Sequence, residues 1–269
     1  MGSVMIRLSE INIYPVKSLA GISLQQGQLD EFGLAGDRRW MVVKPNGHFI
    51  TQRTRAQMAL IQPSLDDNGL RLQHPELGEC CVPPATVDSK RIEVKVWDDL
   101  VEAWHIDHEV DNWLSRAVGE ACHLVWFPSD ALRQCDLSYA QQGDRVGFAD
   151  GFPLLLISAA SLDDLNQRLA EPVPMKRFRP NLVVSGCDAF AEDTWREIQI
   201  GDSGFRVVKP CSRCVITTVD PETGKRTGAE PLMTLSRYRK EGSKVMFGQN
   251  LVHDDRGLLT IGDSLEVIF

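Results

Sequence analysis

Residues 39–51 read RWMVVKPNGHFIT, and this stretch gives the clearest structural signal in the chain. Two apolar runs, Arg39–Lys44 and His48–Thr51, flank the tripeptide Pro45-Asn46-Gly47. Asn-Gly between two apolar runs is typical of a β-hairpin, because asparagine and glycine accept the backbone angles of a tight turn. The stretch therefore predicts two strands joined by a short turn.

Strand-like stretches continue along the whole chain in both directions. Apolar residues at Ile6, Leu8, Ile11 and Ile13 predict an opening strand with one irregularity. Further short runs rich in Val, Ile and Leu predict strands of the same kind. These runs are Ile22–Leu29, Arg91–Val96, Leu124–Phe127, Leu182–Ser185, Arg206–Lys209, Val215–Val219 and Leu258–Phe269, the last divided by a turn at Gly262-Asp263.

Only three segments have helical periodicity. The first follows Asp107 and stops at Gly119, a typical C-terminal glycine. The second begins at Ser161, which with Asp164 resembles a capping box, and the third covers 231–240. Helices do not alternate with strands, which argues against a doubly wound parallel sheet. We predict a mainly β (α+β) fold of two interlocked β-barrel-like lobes with a few packed helices, divided into residues 1–119 and 120–269.

Composition excludes several classes of protein. The 269 residues carry a formal charge of −8, whereas nucleic-acid binders are usually basic because they neutralise phosphates. The longest apolar runs, such as Pro153–Ile157, are far shorter than the roughly 18–20 residues that span a bilayer. The seven cysteines are an odd number, and the N-terminus does not resemble a signal peptide. We expect a cytoplasmic protein with reduced thiols that binds neither a nucleic acid polymer nor a membrane.

The segment KPCSRCVITTVD at 209–220 contains a C-x-x-C pair, Cys211 and Cys214. This spacing is compatible with structural zinc, with a redox dithiol, or with one working thiolate beside a bystander. Two buried, inert thiols are the simplest alternative. The cationic neighbours Lys209 and Arg213 favour a thiolate, but spacing alone leaves these alternatives open.

Basic residues recur at several predicted turns. Lys17 and Ser18 follow the first strand, Arg38 lies in GDRRW at 36–40, and Arg179 and Asn181 lie in RFRPN at 177–181. Lysine, arginine and hydroxyl groups on turns suit an anionic ligand such as a phosphate. These turns predict an anion pocket if they converge in the fold.

Two other residue types are given structural interpretations. The six histidines show no ligand spacing, and the pair His105 and His108 lacks a further ligand motif. Trp97, Trp104 and Trp113, with Trp126, lie on strand or helix patterns, so we expect them in the core or between the lobes.

Five motifs together resemble a known family. They are YPVKS (14–18), GDRRW (36–40), FRPNLVVSG (178–186), PCSRCVITTVDPETG (210–224) and FGQNL (247–251). In this order they resemble the family that joins an N-terminal β-barrel domain to a MOSC (molybdenum cofactor sulfurase C-terminal) domain. Its members include the mitochondrial amidoxime-reducing components and bacterial reductases of N-hydroxylated bases.

The resemblance implies a molybdenum cofactor held between the lobes. Cys214 resembles the thiolate that ligates molybdenum and is the implied catalytic residue. The implied cofactor contacts are Lys17, Ser18, Arg38, Arg179, Asn181, Arg213 and Asn250. The chain departs from the family pattern at Asn250, where the mitochondrial relatives have Tyr, and at Gly151-Phe152, where relatives place small hydroxyl residues.

The implied activity is the reduction of small N-hydroxylated compounds: amidoximes, hydroxylamines or N-hydroxylated nucleobases. Electrons would come from a separate donor protein of the flavin, iron–sulfur or b-type cytochrome kind, because no cluster of four cysteines remains in the chain for an iron–sulfur centre. The alternative is a non-catalytic protein that carries the cofactor or handles its sulfur.

Overall fold

The computed structural model describes residues 5–67, 69–85 and 89–269, which form mostly β structure. The strands are β1 (Arg7–Ile13), β2 (Ile22–Leu24), β3 (Gln26–Asp30), β4 (Gly33–Leu34), β5 (Trp40–Val43), β6 (Gln62–Asp66), β7 (Gly69–His74), β8 (Gly78–Val82), β9 (Arg91–Val96), β10 (Asp99–His105), β11 (His123–Trp126), β12 (Leu154–Ser158), β13 (Leu182–Ser185), β14 (Glu197–Ile200), β15 (Ser203–Arg213), β16 (Val219–Asp220), β17 (Lys225–Arg226), β18 (Lys240–Glu241), β19 (Lys244–His253), β20 (Leu258–Thr260) and β21 (Leu265–Val267). The α-helices are α1 (His108–Val118), α2 (Ala159–Gln167) and α3 (Leu232–Tyr238), and short 3-10 helices cover Ala56–Leu60, Met175–Arg177, Ala191–Asp193 and Val215–Thr218.

One nine-stranded sheet forms what we call the larger lobe, and the sheets β5-β11-β10-β9 and β6-β7-β8 form the smaller lobe. Its order is β2-β1-β13-β12-β19-β15-β14-β21, and β18 pairs with β19 beside this path. Strands β12 and β13 run parallel, and α2 lies in the connection between them. All five residues of β12 are buried, which explains why LLLIS is an uninterrupted apolar run rather than an alternating one.

The two halves of the chain exchange strands. The early strands β1 and β2 belong to the nine-stranded sheet, and β3 pairs with the late strand β20. In the other direction, β11 follows Gly119 but joins the four-stranded sheet β5-β11-β10-β9. The predicted mainly β fold with a few helices is confirmed, while the predicted division at residues 119 and 120 stays a prediction.

The hairpin predicted at residues 39–51 forms only in part. The turn is made, since Gly47 N–H donates to Lys44 C=O at 2.9 Å and Lys44 N–H donates to His48 C=O at 2.8 Å. The second arm is reduced to a single bridge between Phe49 and Val43, and β5 finds its full partner in β11 instead. The strand that pairs fully with β5 is therefore β11, which is distant in sequence, and not the adjacent segment that the sequence predicted.

One predicted strand has a different secondary structure, and one predicted helix begins at a different residue. Val215–Thr218 is a 3-10 helix rather than a strand, because the hydroxyls of Thr217 and Thr218 donate back to the carbonyls of Cys214 and Val215. The second helix starts at Ala159 and not after Ser161. Its N-cap is Ser158, whose hydroxyl accepts the Ser161 N–H at 3.1 Å.

No helix within the described ranges is both long and apolar enough to cross a membrane.

Replacing Gly248 by Ala should destabilise the fold strongly. Gly248 lies in β19 with φ of +81°, and an added Cβ would lie 2.6 Å from Ile157 Cγ1 and 2.9 Å from the Leu156 carbonyl oxygen. Left-handed strain and overpacking together should lower the free energy of unfolding by roughly 3 kcal/mol. Urea unfolding followed by circular dichroism measures this difference.

Gly242→Ala is the matched control. Gly242 has φ of +58°, but an added Cβ there meets no atom within 4 Å, so only backbone strain of about 1 kcal/mol applies. Equal losses in the two variants would contradict the packing argument.

Candidate functional site

A cleft of about 470 Å³ lies between the two lobes and contains every site residue predicted from the sequence. Its lining comes from the turn after β1, from the segments before β5 and β12, from the segment between α2 and β13, and from the end of β15. The predicted residues that line it are Lys17, Ser18, Arg38, Arg179, Asn181, Arg213, Cys214 and Asn250. Turns that are far apart in sequence therefore do converge, while the role of each residue remains a prediction.

The two cysteines of the C-x-x-C pair have different surroundings. Cys211 lies in β15, packs against the apolar cluster around Phe178 and Phe247, and its Sγ accepts a hydrogen bond from Arg213 Nη1 at 2.9 Å. Cys214 follows the end of β15 and caps the 3-10 helix with its carbonyl, which accepts from Thr217 N–H and Oγ1. Its half-buried thiol has no hydrogen-bond partner among the described residues.

The zinc interpretation of the pair finds no support in the described part of the chain. Structural zinc requires four ligands, and neither cysteine belongs to a group of three or more His, Cys, Asp or Glu side chains close enough to share an ion. Both cysteines line the cleft, and Cys214 is the one whose thiol has no hydrogen-bond partner among the described residues.

Arg38 is held by a pair of side chains from different parts of the chain. Its Nη1 donates to Asp37 Oδ2 at 2.6 Å and to Asn181 Oδ1 at 2.8 Å. The Asn181 amide also accepts the Leu155 N–H at 3.2 Å and donates to the Asn12 carbonyl at 3.1 Å. Asn181 is almost fully buried and bonded on both its oxygen and its nitrogen, so it holds Arg38 in orientation, while its contact with a cofactor stays a prediction.

The ring of Tyr14 contacts two guanidinium groups. The Arg179 and Arg38 carbons Cζ lie 4.1 and 4.3 Å from the centre of its ring, distances typical of cation–π contacts. Burial raises the pKa of Tyr14 to about 12, so the phenol stays neutral, and its hydroxyl donates to the Pro180 carbonyl at 3.1 Å. Arg179 Nη1 donates to the Leu19 carbonyl at 2.6 Å, which fixes it beside the ring.

Backbone strain is concentrated at the cleft. Five described residues other than glycine have positive φ, and four of these line the cleft: Ser18 at +68°, Arg38 at +45°, Trp97 at +57° and Arg179 at +57°. Each such conformation costs about 1–3 kcal/mol and persists only where the surrounding structure imposes it. The strain is evidence that the fold holds these side chains in place.

Lys17 and Asp150 form an ion pair at the cleft, in which the lysine side chain is buried and the aspartate side chain is exposed. Lys17 Nζ donates to Asp150 Oδ1 at 2.5 Å and to the Phe148 carbonyl at 2.7 Å. Burial lowers the pKa of Lys17 to about 8, although Asp150 opposes this shift. Desolvation raises the pKa of Asp150, but Lys17 and Arg53 outweigh it and hold that pKa well below its usual range.

Sequence reasoning did not select Arg53, Trp97 or Asp150 as site residues. Arg53 Nη2 lies 3.4 Å from Asp150 Oδ2, and its guanidinium stacks 4.7 Å from the Trp97 ring. Trp97 Nε1 donates to Asp150 Oδ1 at 3.3 Å. The sequence predicted the ring in the core or between the lobes; it is 43% exposed and lines the cleft, so the core alternative is wrong. Of these three residues, only Asp150 could have been noticed in the sequence, because it lies just before the apolar segment that leads into β12.

Asn250 lies on β19 at the edge of the cleft. Its Nδ2 donates to the Lys209 carbonyl at 3.1 Å, which leaves its side-chain oxygen available to other partners. Gly151 and Phe152, where the sequence departs from the family pattern, also line the cleft.

Comparison with known proteins identifies two matching family models. Residues 5–121 match the model described as MOSC N-terminal beta barrel domain, and residues 143–266 match the model described as MOSC domain.

Curated relatives match over nearly the whole chain. Mitochondrial amidoxime reducing component 2 of Rattus norvegicus is 37% identical over 276 residues, which cover 95% of this chain and 81% of the relative. Mitochondrial amidoxime-reducing component 1 of Xenopus laevis is 32% identical over 275 residues, covering 95% and 80%. The Homo sapiens component 1 is 32% identical over 280 residues, covering 97% and 82%.

Removal of the buried amine by Lys17→Met should change how stability depends on pH. Between pH about 8 and 10.5 the unfolded chain keeps a proton that folded Lys17 has lost, so raising the pH favours folding over this window. The free energy of unfolding of the native protein should therefore rise relative to that of Lys17→Met by up to about 3 kcal/mol. Urea titrations at pH 7.5, 9 and 10.5 measure the difference.

Lys244→Met, at an exposed lysine, is the control and should run parallel to the native protein over this range. Parallel behaviour of Lys17→Met as well would contradict a lowered pKa of the buried Lys17 amine.

Proposed function

Because the chain belongs to the family that joins a MOSC N-terminal β-barrel domain to a MOSC domain, we propose that it is a molybdenum-cofactor-dependent reductase. Its proposed substrates are small N-hydroxylated compounds: amidoximes, hydroxylamines or N-hydroxylated nucleobases. The observation that carries this proposal is the convergence of an unpartnered thiol and several cations in one cleft between the lobes.

The charges of the cleft fit an anionic cofactor. Five cationic side chains line it, and the carboxylates that face them are Asp37 and Asp150. The cations are Lys17, Arg38, Arg53, Arg179 and Arg213. In a chain of net charge −8, this surplus favours a ligand that brings negative charge of its own, as a pterin phosphate does.

Polar atoms left without partners support the same interpretation. The Ser18 hydroxyl makes no hydrogen bond within the described residues, although the side chain is nearly buried. Arg213 Nε is buried and lacks an acceptor there, while Nη2 of the same group donates to the Phe178 carbonyl. Buried polar groups are normally bonded, so groups of this kind at a cleft suit a bound ligand.

Cys214 is the proposed protein ligand of the metal. A thiolate is a soft donor and suits a high-valent metal that already carries sulfur ligands. Cys211, by contrast, is engaged by Arg213 and by the apolar cluster, so no role in the reaction is assigned to it.

The protein's own contribution is binding and orientation. When bound, the molybdenum cofactor supplies the two-electron redox chemistry that breaks an N–O bond. Arg38, Arg179 and Lys17 would hold the phosphate, and Asn181 would keep Arg38 in its orientation. Trp97 presents a partly exposed ring at the cleft, where a flat substrate could stack.

Electrons are proposed to come from a separate donor protein, of the flavin, iron–sulfur or b-type cytochrome kind. The relatives are named as mitochondrial proteins, whereas a cytoplasmic location remains our prediction for this chain.

Cys214→Ser should abolish the activity. Protein from a host able to make the cofactor should reduce benzamidoxime with reduced methyl viologen as the electron source. Loss of the thiolate should lower the rate by more than about a hundredfold, because removing a metal ligand costs more than removing an outer-shell partner. Product formation measured by chromatography gives the rate.

Cys211→Ser, three positions earlier in the chain, is the matched control and should keep most of the activity. Molybdenum content, and the fluorescence of the oxidised pterin, report whether each variant still holds the cofactor. Equal loss in both variants would indicate a dithiol or a shared metal clip. Bound cofactor without turnover in the native protein would indicate a carrier.

A further inference from the structure

Three side chains outside the cleft meet at a single carboxylate oxygen. His105 ends β10, Asp111 lies on α1, and His123 begins β11. Nε2 of His105 lies 2.6 Å and Nδ1 of His123 lies 2.7 Å from Oδ2 of Asp111. Residues separated by as many as eighteen positions in the sequence thus present three ligand atoms within 4.8 Å of one another.

The carboxylate of Asp111 is fixed in orientation. Its other oxygen, Oδ1, accepts the Leu124 N–H at 2.9 Å, so Oδ2 is turned toward the two rings. The side chains of Asp111 and His105 are nearly buried, whereas His123 is 31% exposed and gives access from solvent. Ligands on a helix and two paired strands form a more rigid set than ligands on loops.

We propose that His105, Asp111 and His123 bind a divalent transition ion of the zinc type. Imidazole nitrogen and carboxylate oxygen are ordinary ligands of such ions, at about 2.0–2.2 Å. A tetrahedral ion with these bonds places its ligand atoms about 3.3 Å apart. The distances from Asp111 Oδ2 to the two histidine nitrogens, 2.6 and 2.7 Å, are shorter than this, and no two of the three ligand atoms are more than 4.8 Å apart. Small side-chain rotations therefore make room for an ion.

A fourth ligand and a favourable charge are close by. Nδ1 of His108 lies 3.8 Å from the same Oδ2, and its 87% exposed side chain is free to rotate inward. Asp107 and Glu109 flank this histidine in the sequence and add negative charge beside the ion. Binding requires each imidazole to present a lone pair to the ion, so the remaining ring proton must lie on the far nitrogen.

This site is independent of the proposed reductase function. None of the four side chains is among the residues that line the cleft, and the C-x-x-C pair contributes no atom to it.

Metal titration of the full-length protein tests the proposal. After treatment with a chelating resin, the protein should bind one equivalent of Zn²⁺ in calorimetry and show a higher melting temperature, since an ion that binds only the folded state stabilises it. Co²⁺ should produce visible d–d absorption bands from nitrogen and oxygen ligation. His105→Gln and His123→Gln should each weaken Zn²⁺ affinity at least about tenfold.

Controls separate this site from other zinc ligands in the chain. His48→Gln, at an exposed histidine, and a Cys80→Ser/Cys81→Ser double variant, at adjacent half-exposed and exposed thiols, should bind Zn²⁺ like the native protein. His108→Ala changes an exposed side chain and tests the fourth ligand in a variant that should fold normally. Absence of stoichiometric binding, or binding that the histidine variants leave unchanged, would overturn the proposal.

Discussion

The site depends on the charge-assisted hydrogen bonds that join Arg38 to Asp37 and Asn181. Hydrogen bonds to charged groups contribute about 1.5–3 kcal/mol each, and these link the turn before β5 to the turn before β13. Asn181 extends the link to Asn12 beside it in the sheet and to Leu155 on β12. The turns that carry Arg38 and Asn181 are therefore hydrogen-bonded to each other and to strands β1 and β12.

The chain has a net charge of −8, yet five cationic side chains lie together in the cleft. Like charges repel, yet Arg38 and Arg179 both lie within 4.3 Å of the centre of one ring, Tyr14, whose π-system attracts both. Asp37 and Asp150 neutralise only part of the cationic charge in the cleft. The positive-φ conformations at the same turns are strained, and such strain persists only where the surrounding structure imposes it.

The sequence predicted the class of the fold and the residues of the cleft better than it predicted individual elements. Strong apolar runs such as LLLIS form strands because burial on both faces decides their conformation. The β-branched run at 215–218 does not, because threonine hydroxyls can bond to the backbone three residues earlier and stabilise a 3-10 helix. His105 and His123 gave no signal, since their proximity arises from the pairing of β10 with β11 and not from spacing.

The different surroundings of Cys211 and Cys214 follow from the geometry of β15. The strand has an irregularity between Pro210 and Ser212, and there Cys211 packs toward the apolar cluster behind the sheet. The strand ends at Arg213, whose guanidinium bonds the first thiol and the Phe178 carbonyl. The chain then turns into a 3-10 helix, so the second thiol is free of both the sheet and the core. A difference of three positions in the chain thus separates a cysteine packed against the core from one whose thiol has no partner among the described residues, and this favours chemistry at a single sulfur.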